Sequence, residues 1–454
     1  LSNNLTPEDS TTTSETGSYS INISPGYYLV EWTKTGYVPM ELGGLALAEN
    51  TILDTIIMIP GEILEVSGEI FTTTWTTSFV YYVTDDITVP EGETLTIDPG
   101  VRVKFYSGTG MTVNGKLLAN GTEDYPVRFT SKEPTPLPGD WDNLMLNGPD
   151  NVLTYLYYDY ASDGITGSGA DGTNIDNLKM FGTLTLSANG IVLENSKKLT
   201  LTNNIISTSN NYGIWANNAR ESIIDGNTIY GAYSSAAIYT ENCDKCTISN
   251  NVIENNPEIG IMASGSDSIK FINNSMDVAR DGIINDDAYH QLFLSNTILN
   301  FNNFGIRFNS ARYCTTTTNT IISDRDGGEK FGVHGSSTWS GYNDTSFVDN
   351  QLVSSGNNIE VWTTYSAWGI RYNNMTSNRD TIKVRGECSV RGIESSGSYI
   401  QNAYIEIYDV YDWCDFGYGI MAHEGERKNF LVSNIIHVSM RSYGIKARDA
   451  NIYN

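Results

Sequence analysis

A near-constant interval between Gly-Ile pairs constrains this chain more than any other feature. From residue 190 onward the segments GIVLEN, GIWANN, AIYTEN, GIMASG, GIINDD, GIRFNS and GVHGSS follow one another, and NIEVWT, TIKVRG and YIEIYD continue in weaker form. Their aliphatic anchors are Ile191, Ile214, Ile238, Ile261, Ile283, Ile306, Val333, Ile359, Ile382 and Ile405. The intervals run 23, 24, 23, 22, 23, 27, 26, 23 and 23 residues. Periods of this size belong to solenoids, in which each repeat buries its apolar side only against its neighbours. A second column keeps the same register, because thirteen residues after each of the first six anchors stands an asparagine: Asn204, Asn227, Asn251, Asn274, Asn296 and Asn319.

No segment carries a 3.6-residue period over ten residues, so the repeat is not helical. Short alternating stretches broken by Asn and Gly predict an all-β fold, a parallel β-helix of about sixteen coils stacked ~4.8 Å apart. In that fold the anchors point inward, and each ladder asparagine satisfies turn backbone groups while bonding its counterparts above and below. With these repeats the chain resembles the right-handed parallel β-helix proteins of the pectate-lyase-like type. The segments ITVPEGETLTIDPGVRVKF and MTVNGKLLANGTEDYPVRFTS add a likeness to the region that opens the solenoid in exported bacterial and archaeal β-helix surface proteins. Residues 17–60, with GSYSINISPGYYLVEWTKTGY, are similar to carboxypeptidase-regulatory-like β-sandwich modules. The implied organisation is an incomplete β-sandwich over 1–62, an opening and cap region over 63–138, and a parallel β-helix over 139–454 that continues beyond the given chain.

Charge narrows the function. Lys plus Arg total 27 against 53 Asp plus Glu, a net charge of −26. So acidic a surface repels phosphate backbones and excludes a generic nucleic-acid binder. No apolar run approaches the ~18 residues of a membrane-spanning helix. Five cysteines do not make a disulfide framework, and Cys243 and Cys246 are expected as packing thiols. Six Asn-X-Ser/Thr sequons suit an exported chain.

Alternation puts the residue after each anchor on the solvent face. The first outward column is then Val192, Trp215, Tyr239, Met262, Ile284, Arg307, His334, Glu360, Lys383 and Glu406. Its neighbour is Glu194, Asn217, Glu241, Ser264, Asp286, Asn309, Ser336, Trp362, Arg385 and Tyr408. Trp215, Tyr239, Met262 and Ile284 form an apolar strip, which calls for a covering loop, a second subunit or a stacked sugar. β-Helix lyases resemble this scaffold and abstract a proton beside a carboxylate with a Lys or Arg base. That resemblance makes Lys383, Arg385 and Arg391 one candidate group and Asp286, Arg307 and His334 another. Lys383 between Glu360 and Glu406, and Arg385 between Trp362 and Tyr408, are equally explained as charge-alternating and cation–π ladders. Neither the Gly-His-Gly of polygalacturonases nor a lyase signature is present. Asp324, Asp326 and Glu329 in DRDGGE are the candidate metal ligands, Ca²⁺ being the ion such a turn would take; no residue pattern identifies any other cofactor. Two functions follow. The first is a non-enzymatic extracellular adhesin, or fibre or sheath subunit, whose partners are its own copies, other surface proteins or a polysaccharide. The alternative is a lyase or hydrolase acting on an acidic polysaccharide along the outward face.

Overall fold

In the computed structural model the residues described are 62–133, 135–183, 188–208, 211–325, 330–336 and 352–363, with shorter stretches between 10 and 47 and between 367 and 453. Every regular element among them is a strand. Near the N-terminus, Gly26–Trp32 pairs antiparallel with Met40–Leu47. The rest of the expected β-sandwich lies outside the described residues. From Glu62–Glu69 onward all pairing is parallel, beginning against Phe79–Val89.

Each coil contributes three short strands, as in Ile214–Asn217, Ile223–Asp225 and Thr228–Tyr230. We call the faces they build A, C and B, in chain order. Face C is a sheet of sixteen strands, and faces A and B are joined through the long strand Phe79–Val89. That strand pairs with Arg102–Phe105 along one half and with Met111–Val113 along the other. Two-residue alternation explains the local burial: in Ile214–Asn217 the first and third residues are buried and the second and fourth are not. Left-handed asparagines turn the corner between faces C and B, with φ of 54° at Asn203, 53° at Asn250 and 53° at Asn273. Asparagine tolerates this conformation better than other L-residues with a side chain.

The anchors Ile191 through Ile405 are all fully buried in one continuous core. The asparagine ladder is also buried. Asn204 Nδ2 donates to Asn227 Oδ1 at 2.8 Å, and the same bond links Asn227 to Asn251, Asn251 to Asn274, Asn274 to Asn296 and Asn296 to Asn319 at 2.9 Å. Each amide also donates to a backbone carbonyl of the preceding coil, such as Asn227 Nδ2 to Leu201 O at 2.9 Å. Each of these six ladder asparagines thus uses both amide hydrogens, which is what a dry interior demands.

The ladder is longer than the six asparagines of the sequence pattern. Asn319 donates to Asn357 Oδ1 at 3.0 Å, 38 residues on, and Asn357 donates to Asp380 Oδ1 at 3.0 Å. One coil further the position is Ala403, which offers no side-chain acceptor. An amide at 380 would have no next rung for its donor, whereas a carboxylate only accepts. Asp380 takes two bonds from Asn357 and one each from Ser354 Oγ and Ser377 Oγ, at 2.7–3.0 Å. Burial nevertheless pushes its pKa upward.

Two expectations are corrected. Cys243 and Cys246 are joined as a buried disulfide rather than packed as thiols. The anchor column also does not pass from Val333 to Ile359. Val333 pairs with Ile370, which is followed by Ile393, Ile420 and Ile445 on face A. Ile359, Ile382 and Ile405 stack instead on Ile321 of face B. The long interval at this point marks a change of face as well as an insertion.

Candidate functional site

Face A carries Asp286, Arg307 and His334 among the candidate residues, and glycine explains why its strands begin as they do. A Cβ built on Gly332 would stand 2.3 Å from Ile359 Cγ2 and 2.6 Å from Gly369 O. Side chains of the face B core fill the space at this corner, so the coils from Ile191 onward enter face A through Gly, or through Ala237 before Ile238, then bury the anchor, then turn the next residue outward.

The resulting outward column runs Val192, Trp215, Tyr239, Met262, Ile284, Arg307, His334, Arg371, Glu394, Met421 and Lys446. Glu360, Lys383 and Glu406, expected in this column, lie on face B. There Lys383 Nζ sits 3.3 Å from Glu360 Oε1, and the Arg385 guanidinium lies 5.6 Å from the Trp362 ring. The first candidate group of the sequence is therefore split: Lys383 and Arg385 lie on face B, whereas Arg391 lies on face A with Asp286, Arg307 and His334.

The N-terminal half of the column is less open than expected. Val192 is 8% exposed and Ile284 5%, so both are buried, while Trp215, Tyr239 and Met262 are half-buried. Their cover comes from the preceding corner. Tyr212 stacks 5.5 Å from Tyr239 and lies 5.2 Å from Trp215, and Ala236 and Ile259 pack with Ile284 and Met262. Trp215 and Tyr239 themselves stack at 6.1 Å, 18° from parallel. Trp215 Nε1 and Asn217 Oδ1 have no hydrogen-bond partner.

Beyond Ile284 the column becomes polar and gains an aromatic neighbour. Two residues before each anchor stand Phe304, Phe331, Trp368, Arg391, Tyr418 and Tyr443. Phe304, Phe331 and Trp368 stack at 5.2 and 4.6 Å. The Arg307 guanidinium lies 4.9 Å from the Phe304 ring and that of Arg371 5.6 Å from Trp368. Between the two arginines sits His334, 4.6 Å from Phe331, its buried Nδ1 without a hydrogen-bond partner. Burial first, then the charges of Arg371 and Arg307, lower the His334 pKa to about 3. The imidazole is thus neutral at physiological pH.

Glu394 anchors the far side of this group. It accepts from Trp368 Nε1 at 2.6 Å, meets His423 Nε2 at 2.9 Å, and lies 3.4 Å from Arg391 Nε and 3.8 Å from Arg371 Nε. Burial alone would raise its pKa, but His423, Arg371, Trp368 and Arg391 together outweigh it and hold it down to about 2. Asp286, the third member of the expected group, stands one coil before Asn309, which donates to it at 2.5 Å and accepts from Arg307 Nε at 3.0 Å. Arg307 and His334 are adjacent as the sequence implied. Arg371, Trp368, Glu394 and His423 were missed, although WGIRY, RGIES, YGIMA and YGIKA repeat the Gly-Ile signal that would have found them.

The sequence model of the right handed beta helix region matches residues 163–352, and that of the pectate-lyase like beta helix domain matches 67–155. The chain is a right-handed parallel β-helix. No curated protein sequence matches it. Among solved structures, this β-helix is similar to a mutant of the periplasmic alginate epimerase AlgG, at 12% identity and a TM-score of 0.47, covering 78% of this chain and 77% of that one. It is also similar to tailspike protein 3 of bacteriophage CBA120, at 9% identity and a TM-score of 0.38 over 81% and 57% of the chains. PfbA, a surface adhesin of Streptococcus pneumoniae, follows at 10%, 0.36, and 78% and 84%. These likenesses concern the winding of the chain alone. Among the described residues no group of three His, Cys, Asp or Glu side chains could hold a metal. Asp324 is exposed, while Asp326 and Glu329 lie outside the described residues. No helix is long and apolar enough to cross a membrane.

Proposed function

We propose that this β-helix is an extracellular or periplasmic rod that binds an acidic polysaccharide on face A, over the coils from Phe304 to Tyr418. One observation carries this reading: a chain of net charge −26 gathers Arg307, Arg371 and Arg391 on one face, beside stacked rings and around a neutral imidazole. Among the described residues one half-buried carboxylate, Glu394, offsets Arg371 and Arg391. A uronate carboxylate suits a guanidinium fork, and Phe331 and Trp368, buried and stacked on each other, hold the arginines in place beside it. The rod thereby becomes an adhesin for a charged glycan; contact with its own copies or with other surface proteins is a further role of the same rod.

A catalytic variant of this reading is favoured by His334 in particular. Arginines on either side of a uronate carboxylate acidify the adjacent C–H. His334 would take that proton, the electron pair would form a carbon–carbon double bond, and the next glycosidic C–O bond would break, its oxygen leaving with a proton from water. A bound carboxylate would also cancel part of the repulsion that keeps His334 unprotonated.

Affinity electrophoresis in polygalacturonate and in neutral dextran separates these outcomes. Retardation by polygalacturonate only, weakened at high salt and lost about tenfold or more in Arg371→Gln, is expected. Equal mobility in both gels would overturn the proposal. Unsaturated products, detected by ultraviolet absorbance and abolished in His334→Gln, would establish the catalytic variant.

A further inference from the structure

The cationic patch is not the only place on face A where side chains await a ligand. Trp215 and Tyr239 stack as a platform on the same outward column, four and three coils before Arg307. At about 4.8 Å per coil, Trp215 stands roughly 19 Å from Arg307 along the rod. An extended glycan following this column would place about one sugar on each coil, so a chain seated on Arg307 and Arg371 passes over Ile284, Met262 and Tyr239 before reaching Trp215.

The chemistry of this stretch differs from that of the patch. Its central residues are apolar, and Trp215 Nε1 and Asn217 Oδ1, a donor and an acceptor two residues apart on one strand, are buried without a partner and open to a sugar only when the cover over them moves. Asp281 and Glu258, which border Ile259 and Ile284, are both paired with Arg280, and beside the stretch runs a column with Glu194, Glu241 and Asp286. Carboxylates there repel a uronate, whereas hydroxyls of an uncharged sugar can donate to them. Ring stacking is indifferent to charge on the sugar's edge but needs an apolar ring face.

The geometry points to a second subsite at Trp215 and Tyr239 for uncharged sugars of the same polysaccharide, so that the ligand is a heteropolysaccharide in which neutral sugars separate the uronates. This rests on the acidic-polysaccharide reading and adds the requirement for a neutral stretch toward the N-terminal coils. Tyr212, stacked on Tyr239 and tilted against Trp215, is the side chain that must shift aside or pack against the sugar.

Two polymers test it, polygalacturonate and deacylated gellan, the second having neutral sugars between its uronates. Wild-type protein should bind gellan more tightly. Trp215→Ala and Tyr239→Ala should each weaken gellan binding about tenfold and leave polygalacturonate binding unchanged. Trp362→Ala, which removes an exposed ring from face B, should change neither, and melting curves confirm that each variant is folded. If Trp215→Ala weakens both polymers equally or neither, while Arg371→Gln still weakens both, the neutral subsite is wrong and the acidic-glycan reading stands. Should neither polymer bind wild type, that reading fails and the subsite with it. A wild-type dimer in sedimentation that Trp215→Ala dissociates would make the platform a self-contact and overturn the inference.

Discussion

The two halves of the outward column on face A share one scaffold and differ in every property that a ligand would meet. From Val192 to Ile284 the column is apolar and partly covered by its own corners; from Arg307 to Lys446 it is charged and lined by a parallel stack of rings. Beneath both halves the Gly-Ile step and the buried asparagine ladder are the same. A solenoid thus separates two tasks that globular folds entangle. Inward residues set the winding, and outward residues are free to vary coil by coil.

The largest effect should come from cutting what the halves share. Asn296 joins the rungs beneath Ile284 and Arg307, accepting from both the backbone N–H and Nδ2 of Asn274. Asn296→Ala leaves those donors buried and unpaired, at a cost of about 3 kcal/mol. Hydrogen exchange should then show protection lost on both sides of the break. Loss confined to one half would mean that the ladder does not couple them.

Acid should separate the halves next. His334 and Glu394 have folded pKa values lowered to about 3 and about 2. Each therefore contributes stability that is present above its unfolded pKa and is lost as pH falls, from 6.5 to about 3 for His334 and from 4.5 to about 2 for Glu394. Asp281 and Asp286, at the edge of the apolar half, are raised chiefly by burial and act in the opposite sense, their contribution being present at low pH and lost as pH rises through their folded pKa. Thermal melts between pH 7 and pH 3 should show an acid loss that His334→Gln reduces and Asp281→Asn enlarges. Identical pH profiles for the three proteins would remove the electrostatic distinction.

A smaller effect on stability but a clear one on binding is expected from moving the boundary. Arg307→Leu extends the apolar half by one coil on an outward position, so the melt should change by less than about 1 kcal/mol. Retention on polygalacturonate should fall nonetheless. If stability falls steeply instead, Arg307 serves the fold through Asn309 and Phe304 rather than a ligand.

Much of this was legible in the chain and some was not. A repeat of one coil makes each residue's neighbour the equivalent residue of the next coil, so Ile191 to Val333 and Asn204 to Asn319 could be assigned without coordinates. The frame failed after Val333, where NIEVWT offered an aliphatic anchor at a plausible interval but without the preceding Gly. WGIRY carries the Gly, but its Ile370 stands 37 residues after Val333. That slip hid Arg371 and Glu394 and placed Lys383 in the wrong column.

Periodicity by itself determined the β-helix, its buried anchors and its ladder, because those depend on local alternation repeated at a fixed interval. Tertiary structure decided which face each late coil joined, how far Tyr212 and Ile259 cover the apolar strip, and that Arg307, His334 and Arg371 meet Trp368 and Glu394. Such contacts depend on where an insertion re-enters the stack and how side chains lie across coils, and neither quantity is periodic.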